Sequence, residues 1–269
     1  MSISMNLYAV KHVKILSTLT ISLMLLSCGL GDDDVGDLES IESPVHVLVA
    51  ESHAQIGPPS VVVHFETDTF IPCINVEIAM DFSVSGEMIV SDLEGLIDPP
   101  VCEQGDGPAT STNFTEIQEG EYLLEVSYDG DTDLYNIGIT EDSISIDPEQ
   151  QSFTENPFEV AWRFPENSFA YLCGTTGGET ELCDGFTEIL NDMNLEEITF
   201  PDRGFKPYPE STTGFGYDAP ALYYSYESQE ALDDVLQSLI DYDQEVNAFT
   251  SGLVIFLVTW EFDQYVIGQ

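Results

Sequence analysis

Basic residues are the scarcest group in this 269-residue chain. Five lysines and arginines stand against 50 aspartates and glutamates, so the formal net charge is −45 with histidine neutral. Proteins bind nucleic acids and anionic membrane surfaces mainly through basic side chains that neutralise phosphates. The sequence therefore predicts no nucleic-acid partner.

Several patterns that mark catalytic or metal sites are also missing. The chain contains no CxxC pair and no GxSxG motif, which leaves the common zinc spacing and serine-hydrolase chemistry without support. The glycine-rich segment 174–178 has no lysine to bind a phosphate. Among 50 acidic residues no carboxylate pair can be singled out as catalytic, so the sequence leaves enzymatic activity open.

The first 28 residues contain the most specific motif. Lys11 and Lys14 precede an apolar run, residues 15–26, which has the length of a signal-peptide core and is too short to span a bilayer. The run ends in Leu25-Leu26-Ser27-Cys28-Gly29, which resembles the lipobox of bacterial lipoproteins. This resemblance implies that residues 1–27 are removed and that Cys28 is lipidated and binds the chain to a membrane. An ordinary secretory signal is the alternative.

Residues 28–43 are predicted to form an acidic tether. They are rich in glycine and acidic residues, and such a segment remains extended because its charges repel one another. Acidic residues just after a lipidated cysteine resemble the surface-export signal of some bacterial lipoproteins. We therefore expect an outer-membrane lipoprotein of the cell envelope, with surface exposure as a further hypothesis.

The mature chain would be extremely acidic. It would retain only Arg163, Arg203 and Lys206 against all 50 acidic residues, a formal charge of −47. Hydrophobic residues make up 43% of the whole chain, so a core can still form. Repulsion within such a chain is relieved as salt shortens the Debye length. The composition indicates adaptation to a salty environment and predicts salt-dependent folding.

Four cysteines remain after Cys28, an even number in an exported chain. Three pairings are open, and the sequence favours the local one. That pairing joins Cys73 to Cys102 and Cys173 to Cys183, each within one predicted domain.

The mature chain is predicted to be an α+β protein with two domains. Residues 44–165 show apolar residues alternating with polar ones in short segments, which predicts an all-β sandwich of immunoglobulin-like or prealbumin-like architecture. Residues 91–118 are interpreted as a long connection within it. Residues 166–269 alternate strand and helix patterns, which predicts a small α+β domain with two helices on a sheet. Ser228 is expected to cap the second helix, whose apolar stripe includes Leu232, Val235, Leu236, Leu239 and Ile240. The apolar run 253–260 is expected to form a strand buried on both faces.

Two sites are candidates for binding. Asp129, Asp131 and Asp133 alternate as in calcium loops, but Leu134 and Thr140 stand where an EF-hand needs glycine and glutamate. We interpret the segment as a polar hairpin turn, with weak Ca²⁺ binding as the alternative and no other cofactor expected. The segment 200–220 is rich in aromatic residues and contains two of the three mature basic residues. Its candidate binding residues are Arg203, Lys206, Tyr208, Phe215 and Tyr217.

The sequence nevertheless favours a loop that covers the core for segment 200–220, with the binding site as the alternative. His46, His53 and His64 could together bind a metal, although ordinary strand histidines are the commoner case. The sequence thus favours a lipid-anchored, non-enzymatic binding, structural or accessory protein, with a protein of the cell envelope as its partner. The alternatives are a hydrolase with a carboxylate pair and a calcium-binding surface module.

Overall fold

The structure is a computed structural model that describes residues 38–178, 180–212 and 217–268. These residues belong to one compact unit. The predicted signal peptide, Cys28 and most of the predicted tether lie outside the described residues. The protein has a β-rich α+β fold, built from one sheet of ten strands and one of six.

The first sheet uses almost every segment with alternating polarity. Its strands are β1 Val45–Ser52, β2 Ser60–Ile71, β3 Glu77–Ser85, β4 Met88–Ile97, β5 Gly107–Thr115, β6 Gly120–Tyr128, β7 Asp131–Ile139, β8 Ser143–Gln150, β9 Thr154–Glu155 and β10 Val160–Trp162. Their order is β10-β8-β7-β6-β4-β3-β5-β2-β1-β9. The sheet curls so that β1 also lies beside β8 and β10.

The alternation in β1 explains why this sheet encloses a core. Val45, Val47 and Val49 are buried, whereas His46 and Leu48 between them are only partly buried. Successive side chains of a strand point to opposite faces, so the valines face inward. They join a single hydrophobic cluster that also includes residues of β4, β6, β7, β8 and β10. A core shared by distant strands is what keeps the sheet curled.

The interpretation of residues 91–118 as a long connection was wrong. The end of β4 and the whole of β5 lie in this range. β5 has the sequence GPATSTNFT, in which apolar residues do not alternate, and its backbone pairs with β2 on one side. Hydrogen bonding to a neighbouring strand, not an apolar pattern, specifies this strand.

The second sheet is covered by two longer helices. Its elements are β11 Ser168–Thr175, α1 Glu181–Asn191, β12 Glu196–Ile198, β13 Tyr217–Asp218, β14 Leu222–Ser225, α2 Gln229–Val246, α3 Ala248–Ser251, β15 Leu253–Thr259 and β16 Gln264–Ile267. The strand order is β12-β14-β11-β15-β16, with β13 also beside β11. As predicted, Ser228 caps α2, because its hydroxyl accepts a hydrogen bond from Ala231 N at 3.3 Å.

Both faces of the second sheet are buried. Phe169, Tyr171 and Cys173 face the helices and pack with Phe186 and Leu239. The opposite face of β11 is covered by a second cluster, in which Ala170 packs with Tyr208 and Tyr223. β15, predicted as a strand buried on both faces, is buried at every position except Phe256.

Two disulfides tie these elements together. Cys73 pairs with Cys102 and Cys173 with Cys183, with Cα–Cα distances of 5.4 and 5.8 Å. These are the two pairs that the sequence favoured. No helix within the described ranges has both the length and the apolar character needed to cross a membrane.

The first sheet lies within 45–162 and the second within 168–267. The division of the chain into two domains, 44–165 and 166–269, each able to fold alone, stays a prediction. The strand order does not confirm an immunoglobulin-like or prealbumin-like sandwich.

Candidate functional site

The largest cleft among the described residues lies over the outer face of the first sheet. We call it the aromatic cleft; its volume is about 920 Å³. One wall is the outer face of β1 and β2, and the other is the segment 204–210. Further lining comes from β5, from residues around Phe158 and Phe164, and from the end of β15.

The outer face of β1 and β2 forms an apolar floor with a polar rim. Leu48 and Val62 line the floor. His46 lies opposite Glu66 across the β1–β2 ladder, and His64 lies opposite Leu48. Because residues of one face alternate along each strand, this register brings two histidines and a carboxylate to the same side of the sheet.

Hydrogen bonds and ion pairs orient the rim. His64 Nδ1 is 2.8 Å from Thr112 Oγ1, and His64 Nε2 is 3.7 Å from Glu66 Oε2. His46 Nε2 lies 3.8 Å from Asp68 Oδ1. These histidines are therefore paired with acidic or hydroxyl side chains and do not converge on a common centre.

His53 has a different role, because it connects the two sheets. Its Nε2 is 2.8 Å from the carbonyl oxygen of Trp260, and its ring stacks on Phe262 at 5.2 Å between centroids. Phe164 meets the same ring edge-on at 4.7 Å. All three histidines of the mature chain thus line the aromatic cleft, although the part of the chain that the structure describes holds no group of three side chains arranged to hold a metal ion.

The segment 204–210 is fixed at both ends. Phe205 extends the first sheet, since its N–H donates to the Val160 carbonyl and its own carbonyl accepts from Trp162 N–H, both at 2.8 Å. Tyr208 is buried, and its hydroxyl is 2.8 Å from Ser168 Oγ. The segment therefore both covers a core and lines a cleft, so it combines the two roles that were considered for segment 200–220.

The five residues predicted to bind in this segment divide accordingly. Lys206 and Tyr208 line the aromatic cleft, and Lys206 pairs with Glu210. Arg203 is exposed and is not part of the lining; its carbonyl accepts a hydrogen bond from Trp162 Nε1 at 3.1 Å. Phe215 and the side chain of Tyr217 lie outside the described residues. The backbone of Tyr217, in β13, pairs with Thr175 of β11.

The buried tyrosines beside the cleft are held in the neutral form. Burial raises the pKa of Tyr208, and its hydrogen bond with Ser168 offsets only part of that effect. Burial, assisted by the negative charge of Glu210, raises the pKa of Tyr223 to about 12. Neither phenol can serve as a base near neutral pH, so both contribute apolar surface and hydroxyl groups.

The carboxylates of the cleft are each engaged by a basic group. Arg163 Nε donates to Glu51 Oε1 at 2.8 Å, and the backbone N–H of Phe164 donates to Glu51 Oε2 at 2.8 Å. Glu66 faces His64, and Glu210 faces Lys206. The aromatic cleft therefore offers rings, an apolar floor and charged rims, but no pair of unengaged carboxylates of the kind a glycosidase uses.

The predicted calcium segment forms the hairpin turn between β6 and β7. Asp129 and Gly130 both have positive φ, 49° and 88°, as a two-residue type I′ turn requires. Asp131 is exposed at the start of β7. Asp133, two residues further along β7, is fully buried, so the three carboxylates do not share one exposed surface. Weak Ca²⁺ binding at this turn stays a prediction.

Asp133 has a structural role that the sequence did not reveal. It is fully buried and accepts hydrogen bonds from Ser152 N, Ser152 Oγ and Phe153 N and from both the N–H and the hydroxyl of Thr154, at 2.5–3.1 Å. Burial by itself raises the pKa of this carboxyl, but the hydrogen bonds outweigh it and hold the pKa below the ordinary 3.8. Asp133 thus fixes the turn that leads into β9.

Comparison of the chain with models of known protein families, with curated proteins and with solved structures found no match.

Proposed function

We propose that the mature chain is a lipid-anchored, non-enzymatic binding protein of the cell envelope, and that it binds its partner in the aromatic cleft. The observation on which this rests is the cleft itself. It combines an apolar floor, several aromatic rings and His46, His53 and His64 on the outer face of the first sheet. Concave, mostly apolar sites with a few polar groups are the usual form of binding sites.

Charge indicates the chemistry of the partner. The mature chain carries 50 acidic residues and three basic ones, so its field attracts cations and repels anions. Phe158 and Phe262 expose part of their rings at the cleft, and aromatic faces attract ammonium and guanidinium groups. We infer that the ligand is a basic peptide segment with apolar side chains, presented by another protein of the envelope.

The anchor is proposed from the lipobox resemblance at Cys28, and the outer membrane from the same resemblance. Intact-mass measurement of the protein purified from cell membranes tests it. We expect the mature N-terminus at Cys28 with added acyl mass, and loss of membrane association in Cys28→Ala. An unmodified cysteine in a membrane-free protein would refute the anchor.

We also propose that the first region has a sandwich-like architecture related to immunoglobulin-like or prealbumin-like domains. The support is the single core shared by strands from both halves of the curled sheet. An experimental structure in which two halves pack face to face, about 10 Å apart, would agree with this proposal.

The binding proposal can be tested with a dansyl-labelled peptide of alternating lysines and leucines, whose binding is followed by fluorescence anisotropy. The double variant Glu66→Gln/Glu210→Gln removes two negative charges at the cleft. Asp234→Asn/Glu245→Gln removes two exposed charges from α2 and serves as the matched control. We expect about tenfold weaker binding for the cleft variant and nearly unchanged binding for the control.

Equal losses in the two variants would mean that the peptide follows net charge alone, and the proposal would fail. Phe205→Ala provides an independent test, because it removes an aromatic ring from the cleft wall without changing any charge. We expect weaker binding there as well, with thermal unfolding checked to show that the backbone pairing of Phe205 with β10 is retained.

A further inference from the structure

A second surface has the chemistry of a membrane contact, at the end of the first sheet where the described chain begins. Glu39 N–H donates to Leu96 O at 3.1 Å and Leu96 N–H donates to Glu39 O at 2.8 Å. Ile41 N–H donates to Tyr128 Oη at 2.7 Å. The chain therefore joins the body beside the last residues of β4.

The same end of the sheet exposes four large apolar side chains. Phe70 is 67% exposed, Ile74 49%, Ile97 45% and Val101 75%. Phe70 lies near the end of β2 and Ile97 at the end of β4, one residue after the partner of Glu39. Exposed apolar residues that occur singly need no explanation, but a group at one end of a sheet marks an interaction surface.

Covalent and hydrogen-bonded contacts hold this surface together. The disulfide Cys73–Cys102 joins the segment after β2 to the segment after β4. Asn75 Nδ2 donates to Val101 O at 2.9 Å, and Ile74 N–H donates to Glu103 O at 3.1 Å. Ile74 and Val101 thus lie in two segments that the disulfide joins, and neither side chain contributes to the core.

The length of the segment before Leu38 indicates that the membrane is what this surface contacts. Leu38 is ten residues after Cys28 in the sequence, and ten residue steps span at most about 35 Å when fully extended. A compact body of about 230 residues has a diameter on the order of 45 Å. If Cys28 is held in a bilayer, this end of the sheet can never be farther than about 35 Å from the lipid, whereas the opposite end of the body can.

We propose that Phe70, Ile74, Ile97 and Val101 form a lipid-facing surface that inserts shallowly into the membrane to which the chain is anchored. The inference rests on the proposed anchor at Cys28. Because the tether is short, the effective concentration of lipid at the surface is high. Shallow insertion of four apolar side chains is therefore enough to maintain the contact.

The charge of the surface specifies which lipids it contacts. Asp68, Asp98, Glu103 and Asp106 lie within five residues of one of its members in the sequence, whereas the basic residues Arg163, Arg203 and Lys206 are far from it in the sequence. Carboxylates repel anionic headgroups. The surface therefore fits zwitterionic lipid, such as phosphatidylcholine or phosphatidylethanolamine, and not phosphatidylglycerol.

Tryptophan quenching by brominated lipid tests this contact. The variants are Val101→Trp and, as matched control, Phe249→Trp, since Phe249 is 73% exposed. Phe249 lies in α3, which packs against β15 of the second sheet, whereas the four residues of the surface belong to β2, β4 and the segments that follow them. The lipidated mature protein is reconstituted in brominated phosphatidylcholine vesicles, and the signal of Trp162 and Trp260 in the parent is subtracted.

We expect roughly twofold or greater quenching at position 101 relative to position 249, and a smaller difference in vesicles rich in phosphatidylglycerol. Equal quenching at the two positions would overturn the proposal. A second variant, Phe70→Asp in the Val101→Trp background, should lower the quenching at position 101 because it removes a neighbouring apolar side chain.

A second arm separates failure of this contact from failure of the anchor. The chain from residue 29 with an N-terminal hexahistidine is held on chelator lipids in brominated phosphatidylcholine, which reproduces the attachment point without a lipidated cysteine. Quenching at position 101 in this arm supports the surface even if Cys28 proves unmodified. Its absence in both arms, with the protein bound, refutes the surface and leaves the anchor intact.

Discussion

The two sheets of this protein differ in how much of their surface is covered. β11 in the second sheet is buried at every position, with helices on one side and the cluster around Tyr208 on the other. β1 in the first sheet buries its valines and leaves His46 and Leu48 at a cleft. A strand such as β11, with both faces covered, contributes only to the core, whereas a strand such as β1, with one free face, can also bind.

The largest expected effect comes from removing a large buried side chain from the core between the second sheet and its helices. Phe186 is fully buried, with ring centroids 5.7 Å from Tyr171 and 5.4 Å from Tyr242. Phe186→Ala should lower the free energy of unfolding by about 3–5 kcal/mol, because it removes transfer energy and leaves a cavity. Leu48→Ala at the cleft should cost only about 1 kcal/mol. Denaturant unfolding measures both, and equal costs would contradict the difference between the sheets.

Within the first region, Asp133 should matter most among the acidic residues. Asp133→Ala leaves the donors of Ser152, Phe153 and Thr154 without their acceptor, and we expect a loss of about 3 kcal/mol. Asp131→Asn, on the exposed end of the same strand, should change stability by about 0.5 kcal/mol or less. A much smaller loss in the free energy of unfolding for Asp133→Ala would show that water replaces the carboxylate as the hydrogen-bond acceptor.

The same residue predicts a loss of stability in acid. The pKa of Asp133 is lower in the folded protein than the ordinary 3.8. Its contribution is therefore fully present above about pH 4 and is lost as pH falls below that value through the folded pKa. Unfolding measured from pH 5 to pH 2 should show a steeper loss for the parent than for Asp133→Asn. Parallel curves would argue against the hydrogen-bonded carboxylate.

Salt should stabilise both regions, because acidic residues are spread along the whole mature chain. The Debye length falls from about 10 Å at 0.1 M to about 3 Å at 1 M salt, which weakens repulsion among surface carboxylates. We expect the midpoint of thermal unfolding to rise by several degrees between these NaCl concentrations. A constant or falling midpoint would be the contrary result.

The smallest effect concerns a helix end in the covered region. Ser228→Ala removes the hydroxyl that accepts from Ala231 N, and such caps contribute about 1 kcal/mol. Thr180, at the start of α1, makes no side-chain capping bond, so Thr180→Ala is the matched control and should be nearly neutral. Thermal unfolding of the two variants should separate them by a few degrees.

The sequence predicted those parts of the fold in which apolar periodicity is strong. The valines of β1, the cap at Ser228 and the unbroken apolar run of β15 each appear as expected. β5 escaped prediction because its threonines and serines do not alternate with apolar residues. In α2, Ile240 was expected in the apolar stripe but is exposed, and Tyr242 is buried in its place.

The candidate site was only half visible in the sequence. The composition of segment 200–220 indicated binding, and Lys206 and Tyr208 of that segment line the cleft, although their role in binding stays a prediction. The opposite wall was missed, because His46 and His64 meet that segment only after the first sheet curls. Long-range contacts of this kind leave no local pattern. The alternation of β1 and β2 could have placed both histidines on the outer face.

Histidine NMR tests the central claim most directly, because all three mature histidines line the aromatic cleft. Protein with ¹⁵N-labelled histidine rings is titrated with the lysine–leucine peptide, and with a control peptide in which glutamates replace the lysines. The account predicts that the ring signals of His46 and His64 shift with the basic peptide and stay in place with the acidic one. Binding of the basic peptide without any shift of these signals would contradict it.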